Sequence, residues 1–151
     1  MRAGLVTLDV LEEERLGERT QRVGQHLRER LKQRLGSYEM VREVRGMGLL
    51  CGIEFTGPRR LDQRLSFEAF AKVHPGMFGQ MLVMRLFRDE GILTQICGNS
   101  FMALKVAPPL IIAPAQVEEF VEAVGRVVER MHSSTSFWTG ALTLTRRLVN
   151  I

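Results

Sequence analysis

The stretch Ser100-Phe101-Met102-Ala103-Leu104-Lys105-Val106-Ala107-Pro108-Pro109-Leu110-Ile111-Ile112 decides the fold of this chain. It predicts a short apolar strand that carries one cation, Lys105, and is halted by a double proline before a second apolar run. Proline lacks a backbone N–H and fixes its own φ, so Pro108 and Pro109 cannot continue a ladder and must turn the chain. Lys105 therefore falls at the end of the strand, before a rigid corner. Asp and Glu are absent from Gly91 through Val117, so no sequence neighbour neutralises its ammonium. Its partner must be another segment, water or a ligand.

Upstream of the strand, Cys97-Gly98-Asn99-Ser100 supplies turn residues and Ile92 to Ile96 an earlier strand, which together predict a hairpin. Met77 to Arg88 is helical in length and apolar on most of its circumference, the pattern of a helix buried on more than one side, with Gly91 as its C-terminal glycine. A second hairpin is predicted from Tyr38 to Phe55. Val41 and Val44 mark its first strand, Gly46-Met47-Gly48 its link, and Leu49, Cys51, Ile53 and Phe55 alternate on one face of its second strand. Arg59 to Pro75 reads as a polar loop with a short helical piece around Phe67 to Val73.

Met1 to Leu35 has apolar residues at three-to-four spacing, including Leu5, Leu8, Leu16, Val23, Leu27 and Leu31. This predicts a long amphipathic helix with a break near Gly17 and a stop at Gly36. Its pattern is already running at the first residues with no capping side chain before it, as in a chain cut from something longer. A last clear helix runs from Pro114 to about Met131, with Val117, Val121, Val124 and Val128 on one face. Ser133 to Ser136 reads as a loop, and Phe137 to Val149 as a short terminal helix anchored by Trp138, Leu142 and Leu148. The order predicts an α+β fold: four short strands in a mainly antiparallel sheet, covered by helices mainly on one face.

At 151 residues, 45% hydrophobic and 25% charged, the chain has the composition of one globular domain. Its +4 charge comes from 21 basic and 17 acidic residues, mostly Arg interleaved with Glu on helix faces, which argues for a solvated surface and against nucleic acid as a partner. No run approaches the roughly 20 apolar residues of a membrane span. A cytoplasmic setting is expected, with Cys51 and Cys97 as reduced, buried thiols.

Self-contained catalytic motifs are missing: the chain has no HExxH, CxxC or phosphate-loop pattern. His26, His74 and His132 read as surface or capping residues, and Gly46-Met47-Gly48 fits a turn better than an anion cradle. Of three lysines, Lys32 rides an exposed helix face and Lys72 a polar segment, whereas Lys105 is expected near a sheet edge facing a cavity.

Three segments in register then resemble the C-terminal part of class III aminotransferases, the fold-type I enzymes acting on ornithine, acetylornithine, 4-aminobutyrate and putrescine. They are Leu8-Asp9-Val10-Leu11-Glu12-Glu13-Glu14, Val44-Arg45-Gly46-Met47-Gly48-Leu49-Leu50-Cys51-Gly52-Ile53-Glu54-Phe55 and Leu104-Lys105-Val106-Ala107-Pro108-Pro109-Leu110-Ile111-Ile112. The resemblance implies that residues 37–132 form the small domain of such an enzyme, that residues 1–36 are the helix connecting it to a large domain, and that 133–151 is a tail. It implies pyridoxal 5'-phosphate as cofactor of the complete enzyme, a homodimer, and an amine or amino acid as substrate. The cofactor-bearing lysine, the aspartate at the pyridine nitrogen and the phosphate cup of the family all lie in the large domain, upstream of this chain. The chain alone is therefore expected to bind no cofactor and to be inactive, with no catalytic residue of its own.

The family position that carries a carboxylate-gripping arginine in several members is Lys105 here, the one expected substrate-binding residue. A lysine is a point charge where arginine offers a bidentate fork, which suits a looser hold on carboxylate or a substrate without an α-carboxylate, such as a diamine. Extension of Lys105 to solvent or to a helix end is the alternative. A free-standing module that dimerises or binds a partner through the apolar helix from Gly76 to Glu90 is the alternative for the whole chain.

Overall fold

The computed structural model describes residues 2–73, 76–98 and 102–133. The predicted terminal helix at 137–149, the loop before it apart from Ser133, which is the last residue of a helix, His74 and the turn residues Asn99 and Ser100 lie outside them.

Helix α1 (Arg2–Glu13) is followed by α2 (Leu16–Leu35), β1 (Val41–Met47), β2 (Leu50–Phe55), α3 (Leu61–Val73), α4 (Met77–Glu90), β3 (Gln95–Cys97), β4 (Ala103–Val106) and α5 (Pro114–Ser133). The four strands form one antiparallel sheet in the order β1-β2-β4-β3. Both predicted hairpins are present as paired strands, and they join through β2 and β4 at the centre of the sheet.

Alternation decides which face is buried. Val44, Ile53, Leu104 and Ile96 are paired in one row across all four strands, and the first three are buried. Helix α2 packs on β1 and β2, α4 on β3 and β4, and α5 lies against both helices. Leu27, Leu31 and Leu35 of α2, Leu82 and Leu86 of α4, and Val117, Val121, Val124 and Val128 of α5 close the core between them. Among the described residues no helix covers the opposite face of the sheet, the open face.

Two close approaches fix the helices. At Gly24 a β-carbon would collide with the Gly48 carbonyl of the β1–β2 turn, so α2 reaches the hairpin only because that position is glycine. Arg28 then donates a 2.6 Å hydrogen bond to the same carbonyl. Gly125 of α5 likewise leaves room for the Arg34 side chain, which bonds Glu122 and Glu129 at 3.2 Å each.

The structure departs from the sequence pattern in several places. The break expected near Gly17 falls at Arg15 and not at the glycine itself: Arg15 takes φ 50 and ψ 39, the left-handed region, and α2 starts at the next residue. Helix α3 covers most of the segment expected to be loop. Leu61 and Leu65 point outward while Gln63 is buried, inverting the amphipathic signal, and Gln63 donates 2.9 Å to the His132 carbonyl at the end of α5. Strand β3 is only Gln95–Cys97, with Ile92 to Thr94 outside the ladder. Finally, Cys97 is exposed, because it falls on the open face of edge strand β3, whereas Cys51 is buried and its thiol is pushed up by that burial.

Candidate functional site

In β4, Leu104 and Val106 face the core and Lys105 faces out. The strand ends at Val106, as the double proline requires, and the following chain turns with Ile112 N–H bonded to the Pro109 carbonyl at 3.0 Å. The strand is not a sheet edge, however. It pairs with β2 on one side and β3 on the other, so Lys105 stands in the interior of the sheet, directly opposite Gly52 and Gln95.

Beyond the Gln95–Lys105 pair, residues 92–94 part from the line of β4, and a cavity of about 260 Å³ opens there. Lys105, Thr94, Pro108, Pro109, Ile112 and Phe120 contribute to its lining, so the expected position of Lys105 beside a cavity holds. The lining is apolar apart from Lys105 and Thr94, and it contains no carboxylate. The Thr94 Oγ1 is buried and has no hydrogen-bond partner among the described residues. Arg19 of α2 fixes the segment after the prolines by donating to the carbonyls of Leu110, Ile111 and Ile112 at 3.3, 3.2 and 2.7 Å.

Residues paired directly across an antiparallel sheet put their side chains on the same face. The open face thus carries the row Arg45, Gly52, Lys105, Gln95, and beside it Glu43, Glu54, Ala103, Cys97. Glu54 accepts from Arg42 at 3.0 Å and pairs with Arg45 at 3.3 Å. Lys105 makes no ion pair among the described residues, in keeping with the acid-free sequence around it. A β-carbon at Gly52 would meet nothing within 4 Å, so the glycine leaves a hollow between Arg45 and Lys105.

The remaining candidates are structural. His26 contacts Glu118 at 2.9 Å, and Glu118 also receives Arg30, whose hydrogen bond is the main cause holding its carboxyl below the usual range. His132 bonds the Val128 carbonyl through Nδ1 at 2.8 Å. Gly46-Met47-Gly48 is the end of a hairpin with a two-residue loop, Gly48-Leu49, and Gly48 takes φ 52. Among the described residues no cluster of His, Cys, Asp or Glu could hold a metal ion, and no helix is long and apolar enough to cross a membrane. Arg45 and Gly52 were not singled out by sequence reasoning. Their proximity to Lys105 is set by strand register, for which the alternation of Val44 and Ile53 as inward residues is the available signal.

Pyridoxal phosphate takes an amine for covalent attachment, an acid at its ring nitrogen and a cup of donors for its phosphate. The cavity supplies a lone amine and no acid, so this donor set does not fit the cofactor.

Comparison with known proteins agrees with the sheet and helix order. The family model "Aminotransferase class-III" matches residues 1–128. The diaminobutyrate–2-oxoglutarate aminotransferase of Rhizobium meliloti (strain 1021) is 32% identical over 87% of this chain, and the acetylornithine aminotransferase of Methanothermobacter thermautotrophicus is 28% identical over 83%. Among solved structures, the ornithine delta-aminotransferase of Plasmodium falciparum superposes with a TM-score of 0.64 at 27% identity, covering 84% of this chain. A structure from the directed evolution of transaminases by ancestral reconstruction reaches 0.70 at 32% identity, covering 88%. The chain spans only 27% of the Rhizobium relative and 27% of each of these two solved chains. With the family match extending over both hairpins and nearly all of α5, this chain belongs to the class III aminotransferase family, of which it represents the C-terminal part.

Proposed function

We propose that this chain is the C-terminal domain, or a truncated copy, of a pyridoxal-phosphate-dependent aminotransferase. The complete enzyme would move an amino group from an amine or amino acid to a keto acid, and this chain alone is inactive. The observation that carries the reading is the cavity at the end of β4, which offers one cation, a buried hydroxyl and apolar walls without any acid. That is one wall of a site. In this reading residues 37–132 are the small domain, 1–36 the connection to a large cofactor-binding domain, and 133–151 a tail, within a cytoplasmic homodimer. Lys105 faces the substrate. The names of the relatives offer diaminobutyrate, acetylornithine and ornithine as substrates, each of which combines an amine with a carboxylate.

Sequencing the DNA upstream of the Met1 codon tests this. An upstream frame encoding the remainder of an aminotransferase, with a cofactor lysine, is expected; an unrelated gene or a promoter there would remove the enzyme reading for this chain.

A partner-binding module is the second reading, and α1 favours it. This helix buries no residue, and Leu5, Val6, Leu8 and Val10 are 40–62% exposed. Helix α4 is less suited to that role, since Met77, Phe78, Met81, Leu82 and Leu86 already face the core. Light scattering separates the two readings: a well-behaved monomer would count against a dimerising module.

A further inference from the structure

Helix α3 wears its surface reversed. Leu61 and Leu65, neighbours on one side of the helix at i and i+4, are 76% and 65% exposed, whereas Gln63 between them is buried. The exposed pair is edged by the ion pair of Arg64 and Glu68 at 2.8 Å. An apolar strip with a polar rim marks a contact surface.

The buried glutamine points to what covers it. Gln63 Nε2 donates to the carbonyl of His132, next to last in α5, at 2.9 Å, but Gln63 Oε1 is buried without a hydrogen-bond partner among the described residues. Buried acceptors without a donor are rare. The chain continues from Ser133, one residue past that carbonyl, into Ser134, Thr135 and Ser136, which carry backbone N–H groups and hydroxyls, and then into Phe137 and Trp138. Five extended residues reach about 17 Å, enough for the roughly 16 Å half-way round a helix about 10 Å across. The family model matches residues 1–128, and this tail lies beyond it.

We propose that the tail 134–151 docks on the outer face of α3, with a donor from Ser134 to Ser136 on Gln63 Oε1 and with Phe137 and Trp138 over Leu61 and Leu65. The contact supplies the missing donor and takes an apolar strip out of water. Because the tail is tethered two residues past the partner of Gln63, its effective concentration at α3 is high, an advantage that a second copy or a separate partner lacks. The docking is independent of the aminotransferase reading, which the upstream DNA decides.

Trp138 is the only tryptophan of the chain, so the fluorescence of the full chain reports on the tail alone. Short-wavelength emission, protection from acrylamide quenching and no change on dilution are expected. In the isotope-labelled full chain, NMR should show contacts between the Trp138 indole and the methyl groups of Leu61 and Leu65. The double variant Leu61→Gln, Leu65→Gln keeps good helix formers at exposed positions, so its circular dichroism should match that of the unaltered chain while its emission moves to longer wavelength and its quenching rises. Phe87→Gln, at an exposed position of α4, should leave the emission where it is. Water-exposed Trp138 emission in the unaltered chain would overturn the docking, as would a shielded Trp138 that ignores the double variant. Shielding lost on dilution would assign the contact to a second copy and overturn docking within one chain. Absence of the indole-to-methyl contacts in the unaltered chain overturns it whatever the variants do.

Discussion

At the level of single residues, two glycines separate packing from function. Gly24→Ala drives a β-carbon into the backbone carbonyl of Gly48, where no flexible side chain can yield, and the Arg28 hydrogen bond to that carbonyl is disturbed as well. A loss of about 2–3 kcal/mol in urea unfolding is expected. Gly52→Ala meets open space at an ordinary strand conformation, so it should leave stability unchanged or raise it by about 0.5–1 kcal/mol in the same experiment. Lys105 was legible in the sequence as a cation without local counter-charge, because an acid-free segment can be read directly. The neighbour Arg45 was not, since it lies in the other hairpin and only the β2–β4 pairing brings the two into one row.

Among the elements, those with a regular apolar period were legible: β2, α4 and α5 match their predicted spans closely. Of helix α3 the part from Phe67 to Val73 was legible, and the part before it was not because its burial runs against its hydropathy, with Leu61 and Leu65 out and Gln63 in. The break expected near Gly17 falls two residues before it, at Arg15, a non-glycine residue in the left-handed conformation that sequence alone does not mark. Since α1 buries nothing, removing residues 2–13 should change the unfolding free energy by less than about 1 kcal/mol and reduce binding of a hydrophobic dye. Helices α4 and α5 are joined by Glu90, whose carboxylate, 7% exposed, accepts 2.6 Å hydrogen bonds from both Arg126 and Arg130. The Arg126 bond first, helped by that of Arg130, outweighs burial and holds the Glu90 carboxyl below its usual range. A depressed folded-state value means the contribution is complete above the unfolded carboxyl pKa, about 4.3, and is lost as pH falls through the lower folded value. Because both arginines are half-exposed, Glu90→Gln should cost on the order of 1 kcal/mol at neutral pH, and the gap to the unaltered protein should close in acid unfolding below about pH 4.

As a whole molecule, the described residues form a sheet with one face covered by α2, α4 and α5 and the other carrying Lys105 and Gly52. The α+β class and antiparallel pairing followed from the order of periodic segments, whereas the central place of β4 did not, because adjacent hairpins can join by either strand. That central place changes the meaning of Lys105. It is held by two neighbouring strands beside a cavity whose walls provide no acid, a position from which it can meet a ligand but lacks the companions that pyridoxal phosphate needs. The central claim, one wall of a site whose cofactor-holding part lies elsewhere, is tested most directly by mixing the purified 151-residue chain with pyridoxal phosphate, removing free cofactor and recording the visible absorbance. The account predicts no protein-bound pyridoxal band; a stoichiometric band that disappears in Lys105→Gln would contradict it.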